Sequence, residues 1–176
     1  MKQGTISILV GCHSPVHSLC VLAAWRKLYK SWPKPWELMC IFLHDIGHWG
    51  TNYLDDYEAK KQHHVLGARI ARAMFGQKGH DLINGHNAYD GQSRSKLYSP
   101  DKYSWLIAPS WWMLSNCIFE RKLIRNGCNK RQSIKMFKDA MRENWENGLK
   151  KQGHDIYLEQ WGIDPQSPKQ KEVINE

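Results

Sequence analysis

Residues 42–48 read Phe-Leu-His-Asp-Ile-Gly-His, and this stretch decides the fold. The apolar run before His44 and Asp45 predicts a buried helix with two potential metal ligands at its end. An unpaired buried imidazole and carboxylate would be costly, whereas one divalent cation binds both. The simpler interpretation is an Asp that orients its neighbouring His. The choice depends on whether other segments supply further ligands.

The composition predicts one folded domain. A chain of 176 residues with 41% hydrophobic residues can bury a sizeable core. No apolar run reaches the roughly eighteen residues that a membrane span needs, and the first ten residues lack a signal-peptide pattern. The five cysteines are widely spaced and odd in number, which predicts free thiols in a reducing compartment. We therefore expect a cytoplasmic protein with no membrane partner.

The positive charge is concentrated late in the chain. The formal net charge is +8, and residues 120–151 contain ten Lys and Arg against four acidic residues. Such a surface could attract phosphate groups or nucleic acid. A solvated helix face is the simpler interpretation, so nucleic acid stays open as a partner without being favoured.

Three further segments place a histidine on an apolar helical stripe. A helix opened by Ser14-Pro15 carries His17, a helix beginning near Leu54 carries His63, and a short helix carries His86. Their apolar partners on these stripes are Cys20, Val21, Ala24, Leu28, Leu66, Ile70, Met74, Leu82 and Ile83. The spacing predicts three inward imidazoles in addition to His44.

The remaining segments also predict helices. The first ten residues form an apolar arm whose structure the pattern does not decide. A helix over 99–107 has Asp101 in its first turn and is followed by a kink at Pro109 and a core segment at 111–114. A long amphipathic helix follows residue 129 and is predicted to end near Gly153.

Because no run of strands is present, the prediction is an all-α, single-domain helical bundle with a metal site between its helices. The predicted organisation is an arm at 1–12, a metal-binding core at 13–118, basic helices packed on that core at 119–162, and a flexible tail at 163–176.

If these segments converge, they bring together four imidazoles and two carboxylates. The predicted metal ligands are His17, His44, Asp45, His63, His86 and Asp101. Mixed nitrogen and oxygen donors suit transition metals better than calcium, and six ligands sharing one Asp suit two ions better than one. The expected cofactors are two divalent transition-metal ions, with Fe, Mn, Zn, Co and Mg left open.

The order of these residues resembles the HD-domain metal-dependent phosphohydrolases. That family's signature is a His, then a His-Asp pair, then a distant Asp that is often followed by Lys. His17, the pair His44-Asp45, and Asp101 with Lys102 are similar to these three parts. The resemblance covers residues 13–115 and implies a helical bundle of the HD-domain type.

Two further imidazoles look like those of the binuclear members of the superfamily. In those members a His stands four residues before a Gly, so Gly67 favours His63 over His64 as a ligand, and His86 completes the pair. Two departures stand out. His13 could replace His17, and His48 stands where many members carry Lys.

The resemblance implies hydrolysis of a phosphate ester, of a nucleotide or a related small phosphorylated metabolite, by a metal-activated water. Asp45 is the expected bridging ligand and, with His48, the expected catalytic residue. Candidates for proton transfer, charge stabilisation or substrate steering are His48, His64, Lys102, Arg94 and Lys96. An ordinary structural role is the alternative for each of these five residues. Aromatic residues that could stack on a base are Trp49, Tyr53, Tyr89 and Tyr98.

Two other functions stay open. A branch of the same superfamily is similar in its six ligands and uses a di-iron pair to activate oxygen on phosphonate or polyol substrates. The third reading is a nucleic-acid-binding module that uses the basic segment at 120–151. The sequence does not indicate the oligomeric state.

Overall fold

The computed structural model describes residues 1–87 and 94–160, and for Asn144 and residues 147–160 it describes the backbone alone. Every regular element in these residues is helical, so the all-α prediction is confirmed for this part of the chain. The helices are α1 (Gln3–Val10), α2 (Pro15–Tyr29), α3 (Pro35–Leu43), α4 (Tyr57–Lys61), α5 (His64–Phe75), α6 (Gln77–Asn84), α7 (Tyr98–Ile107), α8 (Ser110–Phe119) and α9 (Lys130–Gln160).

One apolar core lies between α2, α3, α5 and α6. Its members occupy the inward stripes of these helices, and the largest of them is the fully buried Trp25. The other members include Val21, Leu28, Cys40, Ile41, Ala68, Ala71 and Ile83. Because this core fixes the four helices against one another, it also fixes the histidines at their ends.

A second, separate apolar cluster joins α7, α8 and α9. It contains Ala108, Trp112, Met113, Cys117 and Ile134, together with Cys20 from α2. Lys138 of α9 donates a hydrogen bond to the carbonyl oxygen of Ala108, 2.6 Å away. The first half of the basic helix α9 is therefore packed against the body of the protein and forms one wall of the region described below.

Two glycines allow the helices around the histidines to approach closely. A Cβ atom on Gly47 would lie 1.7 Å from the carbonyl oxygen of His63, and one on Gly67 would lie 2.5 Å from that of Leu43. Any larger side chain at these positions would push the backbone segments apart. Because both positions lack a side chain, the backbone around His63 can lie against the end of α3.

The structure differs from the predicted elements in several places. The first ten residues contain α1, whose Gly4 amide donates to the carbonyl oxygen of Thr51. The helix predicted from Leu54 onward begins at Tyr57 and is interrupted at residues 62–63. Leu66 and Met74, which were predicted to face inward, are exposed. The predicted kink at Pro109 is a complete break between α7 and α8.

Other differences concern exposure and helix length. Phe42 and Trp111 were expected in the core and are exposed, because they lie on the outward faces of α3 and α8, whose inward faces bury Ile41 and Trp112. Helix α9 continues past Gly153 to Gln160. The predictions for Tyr89, the side chains of 156–158, Trp161 and the tail at 163–176 lie outside what the structure describes.

No single helix in the described residues has the length and apolar composition of a membrane span. Only α1 and α2 taken together, across a bend of 59°, reach that composition.

Candidate metal centre

Three of the predicted ligands are oriented in the same way. The Nδ1 atoms of His44, His63 and His86 lie 2.7, 2.5 and 2.5 Å from the backbone carbonyl oxygens three residues earlier, at Ile41, Lys60 and Ile83. A carbonyl only accepts, so each Nδ1 carries the hydrogen, and in the neutral imidazole each Nε2 presents a lone pair. Hydrogen bonds of this kind orient metal-ligating imidazoles.

One set of donors surrounds the Oδ2 atom of Asp45. The Nε2 atoms of His17 and His44 lie 3.4 and 3.1 Å from this oxygen. The Oδ1 atom of Asp101 lies 3.1 Å from the Nε2 atom of His17 and 3.7 Å from that of His44. Helices α2, α3 and α7 thus bring two imidazoles and two carboxylates together in a buried position.

A second set of donors surrounds the other oxygen of the same carboxylate. The Nε2 atoms of His63 and His86 lie 3.3 and 3.7 Å from Asp45 Oδ1. The two Nε2 atoms are 2.9 Å from each other. Asp45 therefore lies between two groups of histidines and turns one oxygen toward each group.

Burial and charge decide the protonation of the cluster. Burial opposes protonation of His44, but the carboxylates of Asp45 and Asp101 outweigh it and raise the pKa of His44 to about 10. Burial would raise the pKa of Asp45, yet His44 and its other neighbours hold it well below its usual range. Burial lowers the pKa of His86 to about 4, which keeps this imidazole in the neutral form that metals bind.

Several buried polar atoms of the cluster have no hydrogen-bond partner among the described residues. They are His17 Nδ1, His44 Nε2, Asp45 Oδ2 and His48 Nδ1. The facing Nε2 lone pairs of His63 and His86 repel each other unless a positive charge lies between them. Buried groups of this kind rarely stay unsatisfied. The donor set fits a metal cation, and these buried His and Asp residues could hold one.

His13 lies beside this cluster without replacing His17. Its ring packs on that of His48, with the ring centroids 3.9 Å apart, and its Nδ1 atom lies 2.7 Å from the hydroxyl oxygen of Ser7. His48 in turn stacks on His63, with centroids 4.4 Å apart. Donor atoms of His13, Asp45 and His48 all lie within 4.8 Å of one another. Burial lowers the pKa of both His13 and His48.

A buried carboxylate that sequence reasoning missed supports this side of the cluster. The Oε1 atom of Glu120 accepts a hydrogen bond from the hydroxyl of Tyr53 at 2.6 Å, and its Oε2 atom accepts one from the amide of Cys12 at 2.7 Å. The Tyr53 hydroxyl also lies 3.5 Å from Ser7, which contacts His13. A single acidic residue after α8 gave no sequence signal for this connection.

Of the other predicted site residues, Lys102 lines the cavity and His64 does not. Lys102 lines the cavity beside the cluster, with its Nζ atom 2.8 Å from Asp101 Oδ2. Burial alone would lower the pKa of Lys102, but Asp101 raises it, so this side chain is positively charged. His64 is buried outside the cavity lining, 3.4 Å from the side-chain nitrogen of Asn87.

The two remaining cations lie away from the described lining of the cavity. Lys96 lies 3.6 Å from Glu37 and 4.6 Å from the centre of the Trp25 ring, and Arg94 lies 4.8 Å from the centre of the Tyr98 ring. Among the aromatic residues proposed for base stacking, Tyr53 lines the cavity. Trp49 and Tyr98 do not, and Tyr89 lies outside the described residues.

No family model matches the chain, and neither the curated proteins nor the solved structures contain a significant match to it.

Proposed function

We propose that the chain is a metal-dependent phosphohydrolase that cleaves an ester of a small phosphorylated compound. The observation that carries this proposal is the position of Asp45, whose two oxygens face two separate groups of imidazoles. A carboxylate in that position suits a bridging ligand between two cations, as in two-metal hydrolytic sites.

The six predicted ligands would divide between two ions. The first would be held by His17, His44 and Asp101 with one oxygen of Asp45, and the second by His63 and His86 with the other oxygen. Cations bound there would polarise a phosphate oxygen and lower the pKa of a bound water toward neutrality.

The neighbouring side chains supply the other requirements of hydrolysis. Lys102 faces the cavity with its positive charge and would stabilise negative charge developing on the phosphate. His48 also lines the cavity and stays neutral because it is buried, so it can accept a hydrogen bond from a water or carry a proton away.

The direct test uses chelator-treated protein reloaded separately with Mn²⁺, Co²⁺, Zn²⁺, Mg²⁺ and anaerobic Fe²⁺, assayed on 4-nitrophenyl phosphate. We expect uptake of close to two ions per chain and metal-dependent release of nitrophenolate. Asp45→Ala should reduce both the metal content and the rate by at least about a hundredfold, since even supporting residues of metal sites contribute about 10–100-fold.

Asp81→Ala is the matched control, because Asp81 is an exposed carboxylate that also contacts a histidine, His80. It should leave metal content and rate unchanged. Full activity of a folded Asp45→Ala variant, or a wild-type chain that takes up no metal, would refute the proposal.

A second candidate is oxygen activation by a di-iron pair. The observation that favours it is the excess of imidazole over carboxylate in the donor set, which suits iron better than magnesium. Oxygen uptake by anaerobically iron-loaded protein in the presence of a phosphonate or polyol would support it. Hydrolysis with Mn²⁺ or Co²⁺ and no oxygen consumption would exclude it as the main activity.

A further inference from the structure

The six predicted ligands form what we call the metal-binding cluster, and His17, Asp45, His63 and Asp101 of this cluster line one end of a cavity. The cavity has a volume of about 350 Å³ and extends from the histidines into the space between α7, α8 and α9, which is within the size range of small-molecule sites. We call this second end the apolar chamber, and its walls are Trp105, Met113, Cys117, Ile134, Phe137 and Met141. The two ends belong to one continuous space.

The apolar wall begins directly at a predicted metal ligand. The ring of Trp105 stacks on that of His17, with centroids 4.7 Å apart and planes at 25°. The ring of Phe137 packs edge-on against that of Trp105, with the two ring centroids 5.8 Å apart. A group attached to a phosphate at the cluster would therefore enter apolar surroundings at once, with no polar layer between.

One buried amide in the chamber lacks a strong hydrogen-bond partner. Asn116 of α8 lines the cavity and is 1% exposed, and neither its Oδ1 nor its Nδ2 atom has an oxygen or nitrogen partner among the described residues. The neighbouring Cys12 thiol interacts with the amide and is a weak partner. A buried amide left in this state indicates a missing ligand group that can donate or accept one hydrogen bond.

The charges around the cavity limit the substrate further. The lysines in its described lining are Lys60 and Lys102, and Lys102 is already paired with Asp101. The hydroxyls of Tyr53 and Ser133 are also engaged, with Glu120 and with the Asn129 carbonyl. A di- or triphosphate would extend negative charge beyond the cluster and Lys102, where Lys60 is the other lysine of the described lining, and the hydroxyls of a ribose would lose their hydrogen bonds with water.

We propose that the chamber binds the organic part of a phosphate monoester that is compact, mostly apolar and provided with a single hydrogen-bonding group that pairs with Asn116. This inference rests on the proposed hydrolytic function for its phosphate end. The chamber itself does not depend on metal, because none of its wall residues is a predicted ligand. Of the three helices that form it, only α7 also carries a predicted ligand, Asp101.

Binding to the chamber can be tested without activity. In chelator-treated full-length protein, 4-methylphenol should raise the melting temperature and change the tryptophan fluorescence more than toluene does. Asn116→Leu should reverse this preference, because it removes the hydrogen bond and retains the apolar volume. Equal effects of the two ligands before and after the substitution, or no effect of either, would overturn the proposal.

Selectivity provides the second readout. In metal-loaded protein, we expect kcat/KM for 4-hydroxyphenyl phosphate, whose free hydroxyl can pair with Asn116, to exceed that for adenosine monophosphate by at least tenfold. Phe137→Lys, at a position that is 41% exposed, should reverse much of this preference by placing a charge in the chamber. Phe119→Lys is the matched control, since Phe119 is 50% exposed and lies outside the described lining.

A failure of the chamber proposal and a failure of the proposed hydrolytic function would give different results. Metal-dependent hydrolysis with a preference for adenosine monophosphate would overturn the chamber proposal and leave the hydrolytic function standing. Binding of 4-methylphenol that depends on Asn116, with no hydrolysis of any ester under any metal, would refute the hydrolytic function and support the chamber as an apolar binding site.

Discussion

The two ends of the cavity are built on different principles. At the metal-binding cluster, backbone carbonyls orient three of the histidines, and glycines bring the supporting segments into contact. At the apolar chamber, the walls are side chains with few directional bonds, and Asn116 has only the weak Cys12 thiol as a partner among the described residues. Chemistry needs fixed geometry, whereas an apolar group tolerates small shifts. The difference is consistent with the proposal that one end performs a reaction and the other selects the substrate.

The largest expected effect is at the closest backbone approach. Gly47→Ala would place its Cβ atom 1.7 Å from the His63 carbonyl oxygen. The segments would have to separate, so we expect the free energy of unfolding to fall by about 3 kcal/mol and metal binding to weaken with the displacement of His63. Urea unfolding and metal analysis measure the two effects.

Gly50→Ala is the control for this substitution. Gly50 has a φ of 76° and no atom within 4 Å of the added Cβ, so only backbone strain of about 1–2 kcal/mol applies. Metal binding should be unchanged in this variant. Equal effects of the two substitutions on metal content would show that the close contact at Gly47 does not position His63.

The second effect is a pH dependence of stability that comes from the histidines at the metal-binding end of the cavity. Burial lowers the folded pKa of His13 to about 3 and that of His86 to about 4, against about 6.5 in an unfolded chain. The unfolded state therefore binds more protons below pH 6.5, and the metal-free protein loses stability as the pH falls from 6.5 toward 4. His44 acts in the opposite direction, because its stabilising contribution is present below pH 6.5 and is lost as the pH rises through about 10.

We expect His86→Gln to remove on the order of 2 kcal/mol of this acid dependence in urea unfolding curves of chelator-treated protein, at about 1.4 kcal/mol per pKa unit. His80→Gln, at a more exposed position in α6, should retain the dependence. An acid dependence identical in both variants and the wild type would contradict the assignment to the buried cluster.

The smallest effect belongs to the apolar chamber and has the opposite sign. An unsatisfied buried amide costs about 1–3 kcal/mol, and replacing it with an apolar group of similar shape removes that cost. Asn116→Leu should therefore raise the free energy of unfolding by about 1 kcal/mol in ligand-free protein. A loss of stability would mean that Asn116 holds the helices together and is not reserved for a ligand.

The convergence of the predicted ligands could be anticipated from the sequence for a physical reason. Helical periodicity decides which side of a helix is buried, and His17 lies on such a side of α2. His63 and His86 are buried although they lie just outside α5 and α6, so the predicted helical stripe placed them inward without giving their exact backbone state. Asp101 was included in the set as a carboxylate in the first turn of its helix, and the resemblance to HD-domain phosphohydrolases implies the same role for it.

The chamber and its neighbours could not be predicted in the same way. Asn116 is a polar residue in an apolar helix, and whether it is satisfied depends on which segments pack around it. Glu120 pairs with residues more than sixty positions earlier in the chain, and no local pattern reports such a contact. His13 precedes its helix, so periodicity did not decide its direction.

The carboxylate of Glu120 also sets the order in which the molecule can be completed. Its partners, the Cys12 amide and the Tyr53 hydroxyl, are made 108 and 67 positions earlier, so during synthesis both must wait for an acceptor that does not yet exist. The four helices of the first core can assemble on the ribosome before then. The hydrogen bonds that Glu120 accepts from Cys12 and Tyr53, next to His13, form only after residue 120 has been synthesised.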